Sequence, residues 1–226
     1  MINASLANIL NDRKAVRRLG IGALLVIALV VLLFSMFGDE EQERAARRTP
    51  FVEVKRILSG HTVKLESDQR LTYAGIRTPH QGEPLHEEAR RRNADLVEGK
   101  KVRLRFDASD RDGKNRMLAY VYTDAGFGNE ALVREGLAYV RLTPETRRFA
   151  DLLLAAQADA QEHQRGLWGQ PSRSPESRYP ADPKYGNFHR PACEEVPKIK
   201  PARVVSFKSK TGALDAGFAP CSKCLP

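Results

Sequence analysis

The spacing of apolar residues changes several times along the chain, and each spacing predicts a different element. Leu19 to Gly38 carries no charge over about twenty residues, the length a helix needs to cross roughly 30 Å of hydrocarbon. A buried core helix would be shorter and keep a polar face. A signal peptide would have a shorter apolar region before a small-residue cleavage site, which Ser35, Met36 and Phe37 do not make. The pattern therefore predicts a retained transmembrane helix over 19–38, after a basic tail over 1–18 and before a linker over 39–50.

Beyond that linker the period shortens to two. Phe51 to Leu58 and His61 to Leu65 are apolar and β-branched runs separated by Ser59-Gly60, which predicts a hairpin. Arg70 to Ile76 predicts a third strand stopped at Thr78-Pro79, because proline removes a ladder donor and restricts the residue before it. Lys100 to Asp107 and Met117 to Tyr122 predict two more strands around an Asp110-Arg111-Asp112-Gly113 turn. Helical spacing appears over Glu83 to Val97 and Asn129 to Arg134. It returns after Thr143-Pro144, read as an N-cap with proline at the first helical position, with Phe149, Leu152, Leu153 and Ala156 on one face up to Gly166-Leu167-Trp168. Five strands with interleaved helices define a mainly β, α+β domain over 51–170. Residues 171–186 are rich in proline and serine and read as a linker that uncouples the C-terminal residues from this domain.

Charge adds orientation and a class of partner. Of the net charge of +9, residues 1–50 and 51–170 carry +2 each and residues 171–226 carry +5. The C-terminal excess favours anionic partners, nucleic acid or lipid headgroups. Arg13, Lys14, Arg17 and Arg18 crowd the N-terminal side of the apolar run, whereas Asp39, Glu40, Glu41 and Glu43 border its far end. That asymmetry predicts a single-pass protein with its N-terminus inside and its soluble part outside the cytoplasm.

All three cysteines lie in the tail: Cys193, Cys221 and Cys224, with His189 four residues before the first. Two close pairs of soft or borderline ligands suit a tetrahedral, structural zinc over 187–226. A redox disulfide between Cys221 and Cys224 would want a βαβ setting, and three cysteines cannot make two disulfides within one chain.

Several motifs then agree in order and spacing with one family. Gly60-x-Thr62-Val63-x-Leu65, Gly75-Ile76-x-Thr78-Pro79, Asp112-x-x-x-Arg116-x-Leu118-Ala119-Tyr120 and Asn129-Glu130-Ala131-Leu132-Val133-Arg134-x-Gly136-Leu137-Ala138 together resemble the staphylococcal nuclease (thermonuclease) family over about 51–168. The resemblance implies a five-stranded OB-fold barrel with packed helices. It also implies a phosphodiester site with calcium on two aspartates, a glutamate that activates water, and two arginines that neutralise the phosphorane.

On this chain the two aspartates fall at His61 and Arg77, the glutamate at His80 and the first arginine at Thr72, while the second arginine is retained as Arg116. The resemblance therefore implies the scaffold without the calcium chemistry, and calcium is not expected, since a cation at Arg77 repels it. His61, His80, Arg77 and Arg116 should line one pocket able to bind an anion. Glu83, Glu87 and Glu88 read as solvated or salt-bridged helix surface. The tail, from Phe188-His189 to Cys224, is similar to the zinc module of Ada-type DNA-repair methyl-transfer proteins. His189 stands where that family has its methyl-accepting cysteine, so methyl transfer is not implied.

These expectations combine into a membrane-anchored pseudoenzyme that binds nucleic acid or another polyanion through Arg77, Arg116, Arg190 and Lys208. Two alternatives stay open: an active phosphodiesterase or endonuclease with a rearranged site, and a structural envelope protein whose partner is another protein.

Overall fold

A computed structural model describes residues 51–112, 115–170 and 175–226. The transmembrane expectation over 19–38 lies outside the described residues. Among those that are described, no helix is long and apolar enough to cross a membrane.

Alternation in Phe51–Ser59 (β1), Thr62–Leu65 (β2), Arg70–Tyr73 (β3), Lys101–Arg105 (β5) and Met117–Thr123 (β6) sends Val54, Val63, Leu71, Tyr73, Val102, Leu104 and Val121 into one buried cluster. β1 pairs antiparallel with β2 and β5, β2 with β3, and β5 with β6. The parallel pairing of β3 with β6, Thr72 opposite Leu118, closes the ring. The product is a closed five-stranded barrel with no open edge among those strands.

The predicted third strand is broken in two. Gly75 adopts φ +73°, so the chain turns after Tyr73 and re-enters as Ile76–Arg77 (β4), which pairs with Tyr139–Val140 (β8). Met117–Thr123 is followed by Gly126–Phe127 (β7), which pairs back on it. Three helices cover the barrel: α1 (His86–Val97), α2 (Gly128–Arg134) and α3 (Ala150–Glu162). The expected helix start at Thr143-Pro144 is not realised. Thr146 donates its N–H to Thr143 O at 3.1 Å and its hydroxyl accepts from Thr143 N at 3.0 Å, closing a turn, and α3 begins only at Ala150.

Buried side-chain amides tie these layers together. Asn129 Oδ1 accepts from Val121 N at 2.9 Å and its Nδ2 donates to Ala74 O at 2.8 Å. Asn93 accepts from Tyr73 OH at 2.8 Å and donates to Ser59 O at 2.9 Å, holding α1 over the β1–β2 turn.

The C-terminal module is a second, smaller sheet of Tyr179–Asp182 (β9), Asn187–Phe188 (β10), Val205–Phe207 (β11) and Ala219–Pro220 (β12), in the order β11-β9-β10-β12, with α4 over Lys210–Asp215. Two expectations change here. Tyr179–Asp182, inside the stretch read as linker, is a wholly buried strand of this sheet. The module is also not uncoupled from the barrel. Leu142 N donates to Gly217 O at 2.8 Å, and Gln157 accepts from Val140 N at 2.8 Å while donating to Leu214 O at 3.0 Å. A Cβ on Gly217 would lie 2.5 Å from the Leu142 side chain, so glycine permits the close approach. Tyr139 and Trp168 of the barrel domain pack against the module's core of Tyr179, Phe188, Ala213 and Leu214.

Candidate functional site

His61 owes its position to Gly60. A Cβ there would meet Thr78 Oγ1 at 2.7 Å and the Ala89 methyl at 2.8 Å, so only glycine lets the β1–β2 turn lie against the end of β4 and α1. The His61 ring is thereby buried, with Nδ1 2.7 Å from Thr78 Oγ1 and within reach of Thr78 N–H at 3.4 Å. Nδ1 accepts from that N–H, which leaves the proton of the neutral ring on Nε2.

Arg77, on β4, is 2 % exposed. Its Nη2 donates to Glu83 Oε1, its guanidinium carbon lies 5.8 Å from the centre of the Tyr139 ring, and Nη1 is buried without a hydrogen-bond partner. Of the two readings of Glu83, solvated or salt-bridged, the salt-bridged one holds, but in a buried pair and ahead of the helix. Its side chain turns inward as the counter-ion of Arg77. Arg141 follows β8 and donates its backbone N–H to Gly75 O at 2.8 Å, while its Nε has no partner. Arg116, at the mouth of β6, is held by the Asp112 carboxylate, which accepts from its backbone N at 2.9 Å and its Nε at 2.7 Å. His80 is exposed, and its ring lies edge-on to His61 at 6.5 Å between centroids.

These groups sense one another. The His61 pKa is pushed well below that of free histidine, by burial first and then by Arg141, His80, Arg77 and Arg116. Burial, then Arg77, also lowers His80, against an opposing pull from Glu83. Arg141 is brought down to about 10 by burial, helped by Arg77 and Arg116 and opposed by Asp112. Both imidazoles are thus held neutral near pH 7 beside three guanidiniums. Thr72 is buried between Thr62 and Leu118 with its hydroxyl unpartnered, and it supplies no charge where the resemblance places an arginine.

The structure thus gathers His61, Arg77, His80 and Arg116 at one end of the barrel. It adds Arg141 and Glu83, which no motif singled out. A period-two reading through Tyr139 and Arg141 was the available signal for the former. The donors left over, Arg77 Nη1 and Arg141 Nε, are those a multiply charged oxyanion would satisfy. A hard dication finds no comparable set of oxygens, because Glu83 and Asp112 already face arginines.

In the C-terminal module, one ligand atom from each of His189, Cys193, Cys221 and Cys224 lies within 4.8 Å of the others. β10 leads into His189, whose N–H donates to Pro180 O at 2.8 Å, and β12 leads into Cys221, whose N–H donates to Phe188 O at 2.9 Å. All three cysteines are free thiols. The backbone N–H groups of Arg190 and Lys223 approach Cys224 Sγ and Cys221 Sγ at 3.3 and 3.4 Å, and His189 Nδ1 is buried with no partner. Hydrogen bonds from Cys224 first and His189 next favour the Cys221 thiolate, which in turn raises Cys224. A metal cation would accept the orphaned nitrogen and the thiolate charge, so these residues fit one. Among the described residues this is the one group of three or more such ligands brought together.

Arg190 and Lys208 lie in this module. Arg190 pairs with Glu176 at 2.9 Å and Lys208 is exposed after β11.

The closed five-stranded barrel with this cluster at one end is consistent with the family resemblance, and sequence comparison supports a nuclease-like domain. The staphylococcal nuclease homologue family matches residues 70–170. The chain is 29 % identical to the thermonuclease of Staphylococcus intermedius over 157 residues, covering 64 % of this chain and 94 % of that protein. It is 26 % identical to the thermonuclease of Staphylococcus hyicus over 67 % of this chain and 98 % of that one. Endonuclease YncB of Bacillus subtilis (strain 168) is 31 % identical over 52 % of this chain and 61 % of its own length. The chain contains a staphylococcal-nuclease-like domain, to which a His/Cys cluster able to hold a metal is joined.

Proposed function

We propose that the barrel binds the phosphodiester backbone of nucleic acid through fixed guanidiniums and does not perform calcium-dependent hydrolysis. The observation that carries this reading is Arg77, buried and paired with Glu83 at the position where the family resemblance places a metal-binding aspartate. Arg141 and Arg116 extend the positive field, and the neutral His61 offers Nε2–H as a further donor. The test is cleavage of single- and double-stranded substrates by the purified protein with calcium and with chelator, beside binding titrated against salt. Binding that weakens steeply with salt and no calcium-stimulated cleavage are expected. Robust calcium-stimulated cleavage would overturn the reading.

One observation favours a second reading, metal-free acid–base cleavage: the two imidazoles lie side by side in the cationic site. Cleavage that persists in chelator, peaks in mild acid and is abolished by His80→Ala would select it.

In the same proposal, His189, Cys193, Cys221 and Cys224 hold a structural zinc, and residues 19–38 tether the chain to a membrane with the barrel outside the cytoplasm. About one zinc per chain is expected by elemental analysis, lost in Cys221→Ser and kept in His189→Cys. Protease added to cells with a permeable outer layer should digest the barrel, and full protection until lysis would reverse the orientation.

A further inference from the structure

A cleft of about 450 Å³ lies along the seam where the C-terminal module packs on the barrel, and it begins at Arg77 of the cation cluster. Arg77 forms part of its lining, Tyr139 and Trp168 stand on the barrel side, and Thr211, Leu214 and Pro220 close the opposite wall. Small-molecule sites occupy roughly 300–1,000 Å³, and a cleft of this size holds one nucleobase with its sugar. The nuclease-like region ends at residue 170, so the barrel alone could not form this space. α4 and β12 supply the other wall.

We propose that this cleft takes an unpaired base of single-stranded nucleic acid whose adjoining phosphate sits at the cation cluster. The inference rests on the backbone-binding reading above and adds what lies next to the phosphate. The cleft and the cation cluster are continuous. Arg77 belongs to both places, and a base is one sugar away from its phosphate. Charge is divided to match: within the lining, which also includes Lys210, the Arg77 guanidinium is answered by Glu83, while Arg141 and Arg116, outside that lining, draw the phosphate.

The walls have the matching chemistry. Tyr139 and Trp168 meet edge to face at 5.5 Å, and Leu214 and Pro220 face them with apolar surface, a setting for the flat face of a base. Trp168 Nε1 is a donor without a partner, and base edges are rich in carbonyl and ring-nitrogen acceptors. Thr211 adds a hydroxyl that can donate or accept. A duplex keeps its bases stacked inside and cannot present one here, so the site selects single strands.

Trp168 is the single tryptophan of the chain, so its emission reports occupancy of the cleft directly. The full-length chain in mild detergent is titrated with a thymidine 20-mer and with an abasic 20-mer of the same phosphate spacing. The thymidine strand is expected to quench or shift Trp168 emission and to bind about tenfold tighter, the scale of one base stacking on an aromatic wall. The abasic strand should bind at the cations and leave the emission unchanged. Thr211→Phe, at an exposed position where a larger side chain fills the cleft, should abolish the difference between the two strands while abasic binding stays as it was. Equal affinities, or emission indifferent to the thymidine strand while both bind, would overturn the base site alone. Binding of neither strand would overturn the backbone-binding reading on which it stands.

Discussion

Arg77 carries its charge where water scarcely reaches it, with Glu83 as bonded counter-ion, and removing one partner of such a pair strands the other. Glu83→Gln should therefore cost about 3–5 kcal/mol in urea denaturation. Inorganic polyphosphate should restore part of it, because an anion on the spare guanidinium donors replaces the lost carboxylate. Rescue by sodium chloride at equal ionic strength would argue against a specific site. His61 makes a pH prediction of definite sign. Its folded pKa is depressed by burial and by Arg141, so the unfolded chain binds a proton near pH 6.5 that the folded chain refuses. Stability is full above that value and is lost as pH falls toward the folded pKa. Thermal melts between pH 7.5 and 5 should show the decline, and His61→Asn should flatten it. An unchanged slope in that variant would remove His61 from the account.

At the level of elements, long-range amide bonds decide where strands and helices sit. Gln157, on α3, answers one backbone N–H on β8 and one carbonyl on α4, joining barrel and module through a single carboxamide. Gln157→Leu keeps the volume but leaves Val140 N and Leu214 O unpaired in a dry site. The expected loss is about 1–3 kcal/mol per stranded group, read by chemical denaturation, with faster amide exchange at Val140. Both helix starts that the sequence misplaced have local origins. At Thr143-Pro144 the Thr146 hydroxyl and amide close a turn before any helix can start, and α1 begins at His86 rather than Glu83 because Leu85 ahead of it stands at φ +62°, outside the helical region.

Across the whole molecule, the module is packed onto the strand that carries Tyr139 and leads into Arg141, so its integrity bears on the site. The zinc proposed for it would supply folding free energy to a segment too small to bury a large core of its own. Removing zinc with a chelator should lower the melting temperature of the barrel as well as that of the tail, in one cooperative transition. Two separate transitions, with the barrel's unmoved, would restore the independence that the proline-rich stretch suggested. Cys221→Ser should reproduce the chelator's effect.

The sequence by itself determined the barrel strands, the three covering helices and the four candidate metal ligands, because period-two alternation, helical spacing and paired ligands are local patterns readable over a few residues. It also put His61 and Arg77 where the family resemblance places calcium ligands, His80 where it places the glutamate and Thr72 where it places an arginine, because the chemistry each side chain carries is read from its identity alone. Only the tertiary structure decided that Glu83 turns inward to Arg77, that Arg141 joins the cation cluster, that Tyr179–Asp182 is a core strand, and that the module closes a cleft against the barrel. Each of these depends on which side chain meets which across dozens of residues of chain. Barrel closure and buried hydrogen bonds fix that pairing, and no local spacing encodes it.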